Sequence, residues 1–379
     1  MTHELTALER ESAQSILAAD ELAHGYTLRE HFCKKSDEEY CAQMEKLGFG
    51  LDFTDYMAHS TWTAETGWSA KFIEPYGPLS LDPGTAVLHY GQEIFEGLKA
   101  YRHDDGSIWT FRPLYNAARL NHSGRRLAIP ELPMRDFMES IVGLVRADQR
   151  WVPETEGASL YLRPFVFASE SFLGVRAASR YEYIVMASPS GPYFAHGFQP
   201  IDVWVEKDYH RAGPGGMGDA KTGGNYASSL LPKVTAHEQG FDEVMFLDAR
   251  TNTYIDELGG MNVFVVMSDG SVKTPKLTGT ILPGCTRSSI IQLLESKGVR
   301  VSEEEIAIAD VIRGVKSGAI AEMFACGTAA VVTAIGRLAS ADFDVRMPAG
   351  DVTKRIYDEL TGIQLGRIED KFGWCYRLV

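Results

Sequence analysis

A lysine with glycines on both sides is the feature of this sequence that most directly suggests chemistry. Lys221 follows the glycine-rich stretch 213–218 and precedes two further glycines, and Tyr226 comes five residues later. Glycine backbone lets a planar ligand approach closely, and a lysine that attacks a carbonyl carbon needs both that access and a lowered pKa. A loop lysine is more often an ordinary solvated residue. The interpretation therefore depends on partners elsewhere in the chain.

A carboxylate at the start of an apolar segment supplies one such partner. Glu257 opens the stretch Glu257-Leu-Gly-Gly-Met-Asn262, which leads into the apolar run 261–267. A carboxylate that enters a protein core needs a cation beside it. A protonated pyridine nitrogen is such a cation, and pyridoxal phosphate needs it to act as an electron sink. Alone, Glu257 would be a turn or capping residue; together with Lys221 it favours that cofactor.

A phosphate group would need anchors, and two hydroxyl-bearing turns offer them. Thr286 follows Pro283-Gly284-Cys285 just before a predicted helix, where free N–H groups and the helix dipole attract anions. Thr286 could instead be only the N-cap of that helix. Thr328 lies in a second turn, Gly327-Thr328-Ala329, and Arg119 could bind phosphate through two hydrogen bonds. An arginine on an amphipathic helix is usually solvated, so its spacing alone does not identify Arg119.

The stretch 213–218 also matches the pattern G-x-G-x-x-G, which raises the alternative of an NAD-dependent oxidoreductase. In a dinucleotide site the glycines open the helix directly, whereas residues 219–223 intervene here. The acidic residue that should follow at a distance of about 20 residues is also missing. The stretch is not a Walker A motif either, because alanine precedes Lys221. We therefore disfavour nucleotide binding.

Composition limits the class of protein. The chain has 379 residues, 45% of them hydrophobic and 23% charged, which is typical of a globular protein of two domains. A formal net charge of −14 disfavours nucleic-acid binding, and no apolar run is long enough to span a membrane. The few cysteines show neither a disulfide framework nor metal-ligand spacing. We expect a cytoplasmic protein without a metal.

Strand and helix patterns alternate along the chain, which predicts a mixed α/β (α+β) fold. We predict an N-terminal helical extension (1–50), a small domain (51–189), an interdomain loop (190–200) and a large cofactor-binding domain (201–379). The predicted strands are Thr85–Tyr90, Ile108–Phe111, Ser159–Ala168, Tyr183–Ala187, Ile201–Val205, Glu243–Leu247, Met261–Met267 and Ala319–Ala325. The predicted helices are Asn116–Leu127, Met134–Arg150, Asn225–Glu238, Thr286–Lys297, Ile308–Val315 and Val352–Leu360.

Taken together, the motifs resemble the branched-chain amino acid aminotransferases, which are fold-type IV pyridoxal phosphate enzymes. The resemblance runs from about residue 53 to the C-terminus, and its motifs occur in the order of the family. They are Leu88-His-Tyr-Gly-Gln-Glu-Ile-Phe-Glu-Gly-Leu-Lys-Ala-Tyr-Arg102, Ser159-Leu-Tyr-Leu-Arg-Pro164, the Lys221 loop, the Glu257 segment, Leu282-Pro-Gly-Cys-Thr-Arg287 and Cys326-Gly-Thr-Ala329.

The resemblance implies a role for each matching residue. Lys221 would carry the cofactor and move the substrate proton, Tyr226 would bind the phenolic oxygen, and Glu257 would keep the ring nitrogen protonated. The phosphate would be held by Arg119, Cys285, Thr286 and Thr328. The substrate would contact Phe53, Tyr90, Phe95, Tyr161, Arg163, Tyr193, Gly260, Thr328, Ala329, Leu173 and Val175.

The family's activity is a reversible amino-group transfer between leucine, isoleucine or valine and 2-oxoglutarate. The resemblance therefore predicts a homodimeric transaminase, with residues 173–175 reaching the neighbouring subunit's site. A D-amino acid aminotransferase or an aminodeoxychorismate lyase of the same fold is the nearest alternative. An aromatic pocket would favour branched side chains, and Arg163 and Tyr90 would receive the γ-carboxylate of the second substrate.

Overall fold

The computed structural model describes residues 6–30, 34–191, 199–348 and 350–379. These residues form two compact units. The first unit lies within residues 5–195 and 362–379, and the second unit lies within residues 196–361. Each unit contains its own nine-stranded sheet.

Within the described residues the strands are β1 (Thr27–Leu28), β2 (Tyr56–Thr63), β3 (Gly67–Pro75), β4 (Glu93–Phe95), β5 (Leu98–Arg102), β6 (Ile108–Phe111), β7 (Ser159–Ala168), β8 (Arg180–Ser190), β9 (Ile201–Glu206), β10 (Glu243–Leu247), β11 (Ile255–Leu258), β12 (Asn262–Met267), β13 (Val272–Pro275), β14 (Val301–Glu304), β15 (Ile320–Gly327), β16 (Val331–Ser340), β17 (Phe343–Arg346) and β18 (Cys375–Arg377). The helices are α1 (Ala7–Ser12), α2 (Ala19–Leu22), α3 (Asp37–Glu45), α4 (Ala86–Tyr90), α5 (Pro113–Arg126), α6 (Met134–Ala147), α7 (Gly223–Ala227), α8 (Leu230–Glu238), α9 (Cys285–Ser296), α10 (Ile308–Ser317) and α11 (Val352–Gln364).

The sheet of the first unit has the order β1-β3-β2-β8-β7-β5-β6-β18, and β4 pairs with β7. Successive side chains of a strand face opposite sides of a sheet. In β7 the even-numbered residues Leu160 and Leu162 enter the core that also contains side chains of α5 and α6. The odd-numbered residues Tyr161 and Arg163 consequently face the other side. One face of this sheet is therefore core, and the other presents candidate site residues.

The sheet of the second unit has the order β11-β10-β9-β16-β15-β12-β13-β14, and β17 pairs with β16. It is mixed: β9 is parallel to both β10 and β16, whereas β12 and β15 are antiparallel. Consecutive residues of β12 are buried on both faces, as expected for a central strand with cover on each side. The predicted mixed α/β class is confirmed.

The predicted strand at Thr85–Tyr90 is wrong, because residues 86–90 form helix α4. Gly91 ends this helix in the left-handed conformation, at φ 56°, and its N–H donates to Val87 O. Alternation of apolar residues over so short a segment does not distinguish a strand from a single helical turn. The single helix predicted at 225–238 is divided into α7 and α8.

The chain's last residues also differ from the sequence interpretation. We placed 201–379 in one large domain, but residues 362–379 lie in the first unit. Strand β18 pairs antiparallel with β6, from Cys375 opposite Phe111 to Arg377 opposite Trp109. A short strand that carries few local signals gains its structure from such pairing, which the sequence alone does not reveal.

Candidate active site

The lysine loop of the second unit is held in place by polar contacts to its backbone. Asn225, in α7, donates from Nδ2 to Met217 O at 2.7 Å and to Ala220 O at 2.8 Å. Gly218 has to be glycine, because a Cβ there would stand 2.3 Å from Thr280 O. Lys221 Nζ donates a hydrogen bond to the Tyr226 hydroxyl at 2.5 Å. The predicted pairing of Lys221 with Tyr226 is therefore present.

The Tyr226 phenol is electrostatically prepared to share a proton. Burial alone would raise its pKa, but the charge and hydrogen bond of Lys221, together with the charge of Arg211, outweigh burial and lower the pKa. A phenol with a lowered pKa can exchange a proton with the Lys221 side chain. The pair thus suits a lysine that must act as a nucleophile and as a base.

Glu257 lies on β11 and is buried. Its Oε1 atom is 2.8 Å from Arg211 Nη1 and accepts a hydrogen bond from Leu282 N at 2.9 Å. Asn262 Nδ2 donates to the other oxygen, Oε2, at 3.3 Å. Burial raises the pKa of Glu257 to about 6, and the charge of Arg211 opposes that shift. The carboxylate is therefore largely ionised at neutral pH and can face a cation.

Arg211 is a functional residue that the sequence analysis missed. Its side chain is 3% exposed, and Nη1 also donates to Gly218 O at 3.1 Å and to Thr280 O at 3.0 Å. It thereby joins the lysine loop to the carboxylate. No spacing pattern links Arg211 to Glu257. The only available signal was the general rule that a buried carboxylate has a cationic partner.

The predicted anion-binding turn forms the N-terminus of α9. Gly284 is the N-cap, so Cys285 and Thr286 occupy the first helical turn, and both are buried. The alternative in which Thr286 caps the helix is wrong, since the cap makes no side-chain hydrogen bond. A Cβ at Gly284 would stand 2.0 Å from Asn262 Oδ1. The helix end is therefore next to the asparagine that contacts Glu257.

The second predicted turn lies beside Tyr226. A Cβ at Gly327 would stand 3.4 Å from Gly260 O, and a Cβ at Gly260 would stand 3.8 Å from Tyr226 Cε1. Thr328 and Ala329 follow Gly327 directly, and Val331 closes the turn at φ 59°. A β-branched residue with positive φ is strained, and such strain is concentrated at functional sites.

The second unit thus supplies a matched set of groups: an amine, a phenol, a buried carboxylate and a helix N-terminus. Pyridoxal phosphate carries an aldehyde, a phenolic oxygen, a ring nitrogen and a phosphate. Each group of the cofactor has a chemically suitable partner among Lys221, Tyr226, Glu257 and the start of α9. The residues present therefore fit this cofactor.

Three predicted substrate contacts lie together in the first unit. Arg163 Nη2 donates to the Tyr161 hydroxyl at 3.1 Å, and the guanidinium lies over the Phe95 ring at 4.8 Å from its centroid. Arg163 Nε is buried and has no hydrogen-bond partner among the described residues. An unsatisfied buried donor on an arginine is a natural receptor for a carboxylate.

Two phenylalanines near the start of the first sheet have different surroundings. Phe49 meets Tyr161 edge to face, with ring centroids 5.1 Å apart, whereas the predicted pocket residue Phe53 stacks on Tyr76 at 4.9 Å. The segment carrying Phe49 is held by the hydrogen bond from Gly191 N to Gly48 O at 3.1 Å. Phe49, which was not predicted, therefore contacts Tyr161, and the predicted pocket role of Phe53 stays a prediction.

Three other predicted substrate residues, Tyr90, Leu173 and Val175, are exposed. The Tyr90 hydroxyl donates to Leu173 O, and the Tyr90 ring lies 6.5 Å from that of Phe172. Leu173 is 70% exposed and Val175 is 89% exposed. Tyr193 lies outside the described residues.

Arg119 occupies helix α5, and its guanidinium is bound by Glu96. Arg119 Nε is 2.7 Å from Glu96 Oε1, and Nη2 donates to Glu96 Oε2 at 2.8 Å. The edge of the guanidinium that most readily forms two parallel hydrogen bonds is thus engaged by a carboxylate. The predicted binding of phosphate by Arg119 would use its other N–H groups, and it stays a prediction.

The described residues contain neither a membrane-spanning helix nor a cluster of metal ligands. No helix there is long and apolar enough to cross a membrane. In the same part of the chain, no group of three or more histidine, cysteine, aspartate or glutamate residues could hold a metal ion.

Comparison with known proteins identifies the family. The family model described as amino-transferase class IV matches residues 93–338. The branched-chain-amino-acid aminotransferase of Mycolicibacterium smegmatis is 49% identical over 338 residues, which cover 87% of this chain and 92% of that protein. The crystal structure of the Escherichia coli branched-chain amino acid aminotransferase has a TM-score of 0.70 and 30% identity, and the match covers 85% of this chain and 100% of that chain.

A further solved structure is the branched-chain amino acid aminotransferase of Thermobaculum terrenum in its PLP-form. It has a TM-score of 0.68 and 21% identity, with 86% of this chain and 99% of that chain covered, so it supports the shared fold. The family that we predicted from sequence motifs is confirmed. The family model matches most of the chain, and the relatives are matched over nearly their whole length and share the fold. This chain therefore belongs to the class IV aminotransferases.

Proposed function

We propose that this chain transfers the amino group of leucine, isoleucine or valine to 2-oxoglutarate, reversibly and with pyridoxal phosphate as cofactor. The observation that carries the proposal is the 2.5 Å hydrogen bond between Lys221 and Tyr226 beside the buried Glu257. A lysine, a phenol and a carboxylate in this arrangement match the reactive groups of that cofactor. The names of the relatives indicate the substrate class.

The second unit performs the proton chemistry. Pyridoxal phosphate supplies the electron sink that stabilises negative charge at the substrate Cα. Lys221 binds the cofactor and moves the Cα proton, and Tyr226 holds the phenolic oxygen through its hydroxyl. Glu257 keeps the ring nitrogen protonated, and Arg211 fixes that carboxylate. The first turn of α9, with Cys285 and Thr286, holds the phosphate together with Thr328 and Arg119.

Substrate recognition combines apolar walls with carboxylate receptors. Phe49, Phe95 and Tyr161 offer aromatic surface to a branched side chain, for which a methylene-sized difference is worth about 1–3 kcal/mol. Arg163, with its buried Nε, receives the γ-carboxylate of glutamate or 2-oxoglutarate. The backbone of the Thr328–Ala329 turn and of Gly260 holds the α-carboxylate, and Tyr90 assists.

We also propose that the protein works as a homodimer. Leu173 and Val175 are large apolar side chains that are 70% and 89% exposed, which is unfavourable in water unless another surface covers them. A second copy that uses these residues in its own site would explain their position. The cytoplasmic location stays a prediction.

Absorbance and activity measurements test the proposal. The purified protein incubated with pyridoxal phosphate should show a visible band that borohydride removes, and should form glutamate from L-leucine and 2-oxoglutarate. Lys221→Ala should lose both the band and the turnover, because the amine that carries the cofactor and moves the proton is gone. Lys233→Ala, a lysine on α8 of the same unit, is the control and should retain both.

The opposite results have separate meanings. A wild-type protein that stays colourless with pyridoxal phosphate would contradict the use of this cofactor. A coloured protein that accepts D-alanine but not L-leucine would favour the D-amino acid aminotransferase instead.

A further inference from the structure

The connection between β4 and β5 contains a fully buried glutamate that the proposed chemistry does not use. Glu96 is 0% exposed, and its backbone N–H donates to Pro164 O at 2.7 Å, which ties it to β7. Removing an ionised carboxylate from water is costly, and a buried ion pair seldom adds stability over well-packed apolar residues. A stability role alone therefore explains Glu96 poorly.

Four donors converge on this carboxylate. Arg119 donates from Nε to Oε1 at 2.7 Å and from Nη2 to Oε2 at 2.8 Å. Asn116 Nδ2 donates to Oε2 at 2.7 Å, and Gly97 N donates to Oε2 at 3.1 Å. Both oxygens of Glu96 are therefore engaged, Oε2 by three donors and Oε1 by one. Glu96 is well suited to hold other groups and poorly suited to receive a ligand of its own.

The arrangement fixes the orientation of a single side chain. Asn116 and Arg119 lie three residues apart on α5, hence on the same helix face, and both are at most 3% exposed. The Arg119 guanidinium also lies 5.9 Å from the centroid of the Tyr115 ring. Because Glu96 engages Nε and one N–H of Nη2, it determines where the other N–H groups of Arg119 point.

We propose that Glu96 is a positioning residue for the cofactor phosphate: it holds the Arg119 guanidinium in the orientation that binds the phosphate. This inference rests on the proposed function, in which Arg119 contacts the phosphate. Glu96 itself does not touch the cofactor. A flexible arginine would lose side-chain entropy when the phosphate binds, and Glu96 removes that cost by ordering the side chain beforehand.

The test compares pyridoxal phosphate with pyridoxal, which lacks only the phosphate. Both are titrated into the apoprotein and followed by absorbance, so that affinity is measured without turnover. Glu96→Gln should raise the Kd of pyridoxal phosphate by about 10- to 100-fold, the range found when a partner that orients a ligand-binding group is removed. The Kd of pyridoxal should change by less than about threefold, because Lys221, Tyr226 and Glu257 are intact.

Three variants serve as controls. Glu139→Gln removes another buried, ion-paired glutamate of the first unit, 2.7 Å from Arg135, and should leave the ratio of the two Kd values unchanged. Glu96→Asp keeps the charge but cannot reach both arginine nitrogens; should Glu96→Gln fail to fold, it is expected to show the same selective loss. In the Arg119→Ala background, adding Glu96→Gln should not change the Kd of pyridoxal phosphate further, because Arg119, through which Glu96 acts, is absent.

Two outcomes would overturn the inference while the proposed function stands. In the first outcome, the wild-type protein is coloured and active on leucine, and the Glu96 variant binds pyridoxal phosphate with the same Kd as wild type. The other is an equal loss of affinity for pyridoxal, which would indicate a merely structural role. A wild-type protein that binds neither compound would instead contradict the proposed function itself.

Discussion

Among the described residues, each unit contains a glutamate–arginine pair in which both side chains are at most 3% exposed, and the two pairs are built differently. In the first unit Arg119 contacts both oxygens of Glu96, at 2.7 and 2.8 Å. In the second unit Arg211 contacts Glu257 through Nη1 alone, at 2.8 Å, and that nitrogen is shared with two backbone carbonyls. Arg211 Nε has no hydrogen-bond partner among the described residues. The first pair thus makes two direct nitrogen–oxygen contacts, and the second makes one.

The difference indicates what each carboxylate can do. Glu96 accepts from four donors, which suits it to hold those donors in place. Glu257 has one oxygen that accepts only a long hydrogen bond, from Asn262 at 3.3 Å, within the described part of the chain. That oxygen retains capacity for a cation such as a protonated ring nitrogen. Burial and charge pairing are thus alike in the two pairs, and the number of donors is the difference on which we base the proposed positioning role of Glu96 and the proposed cofactor-binding role of Glu257.

The largest expected effect is on turnover. Glu257→Ala should lower kcat by about 10²–10³-fold, the loss typical of removing one preorganised electrostatic contact from a reacting centre. The visible band should remain, because Lys221 still carries the cofactor. Steady-state kinetics and absorbance of the same sample measure both quantities.

Glu243→Gln provides the matched control for this change. Glu243 is another buried glutamate of the second unit and lies 3.0 Å from Lys233 Nζ. Its variant should retain nearly full turnover. If Glu257→Ala also retains full turnover, the second pair is structural, and the distinction between the two pairs disappears.

The next expected effect is a pH dependence of cofactor binding that arises from only one of the two pairs, Glu257 with Arg211. The pKa of Glu257 is raised to about 6, so this carboxyl gains a proton as the pH falls through that value. Pyridoxal phosphate needs the ionised form, and its Kd for the apoprotein should therefore rise by about tenfold per pH unit below about 6. Titration of the cofactor between pH 5 and pH 8 measures this slope.

Variants assign that slope to a residue. Dividing the Kd of wild type by that of Glu257→Gln at each pH cancels the cofactor's own ionisation, and this ratio should show the slope. The Glu96→Gln variant should bind more weakly yet keep the wild-type slope. A slope that disappears in Glu96→Gln and persists in Glu257→Gln would exchange the roles assigned to the two carboxylates.

The sequence predicted the residues whose partners are close along the chain. Lys221 and Tyr226 are five residues apart, and the first turn of α9 follows a glycine and a proline, so local spacing was sufficient. Glu257 was recognisable as a carboxylate leading into an apolar strand. Its partner Arg211 was not, because the contact depends on how the lysine loop packs against the segment before α9.

The same limit applies in the first unit. The contact of Arg119 with Glu96 was not predicted, because the pairing of α5 with the β4–β5 connection is a tertiary contact. The contact of Phe49 with Tyr161 was not predicted either, because Phe49 belongs to an irregular segment with no period to indicate where its ring faces. Periodicity assigns faces within regular elements, and Glu96 and Phe49 lie outside them.

The smallest expected effect comes from the asparagine that accompanies each pair. Asn116 Nδ2 lies 2.7 Å from Glu96 Oε2, whereas Asn262 Nδ2 lies 3.3 Å from Glu257 Oε2. A buried hydrogen bond contributes about 1 kcal/mol, so Asn116→Ala should weaken binding of pyridoxal phosphate by about fivefold and leave pyridoxal binding unchanged. Asn262→Ala should weaken both compounds by less than about threefold, because its longer bond contributes less and acts at the ring nitrogen that both share. The contrary outcome is that Asn262→Ala weakens binding of pyridoxal phosphate alone. Asn262 would then support the anion site at α9 rather than Glu257, and the donor count would no longer separate the two carboxylates.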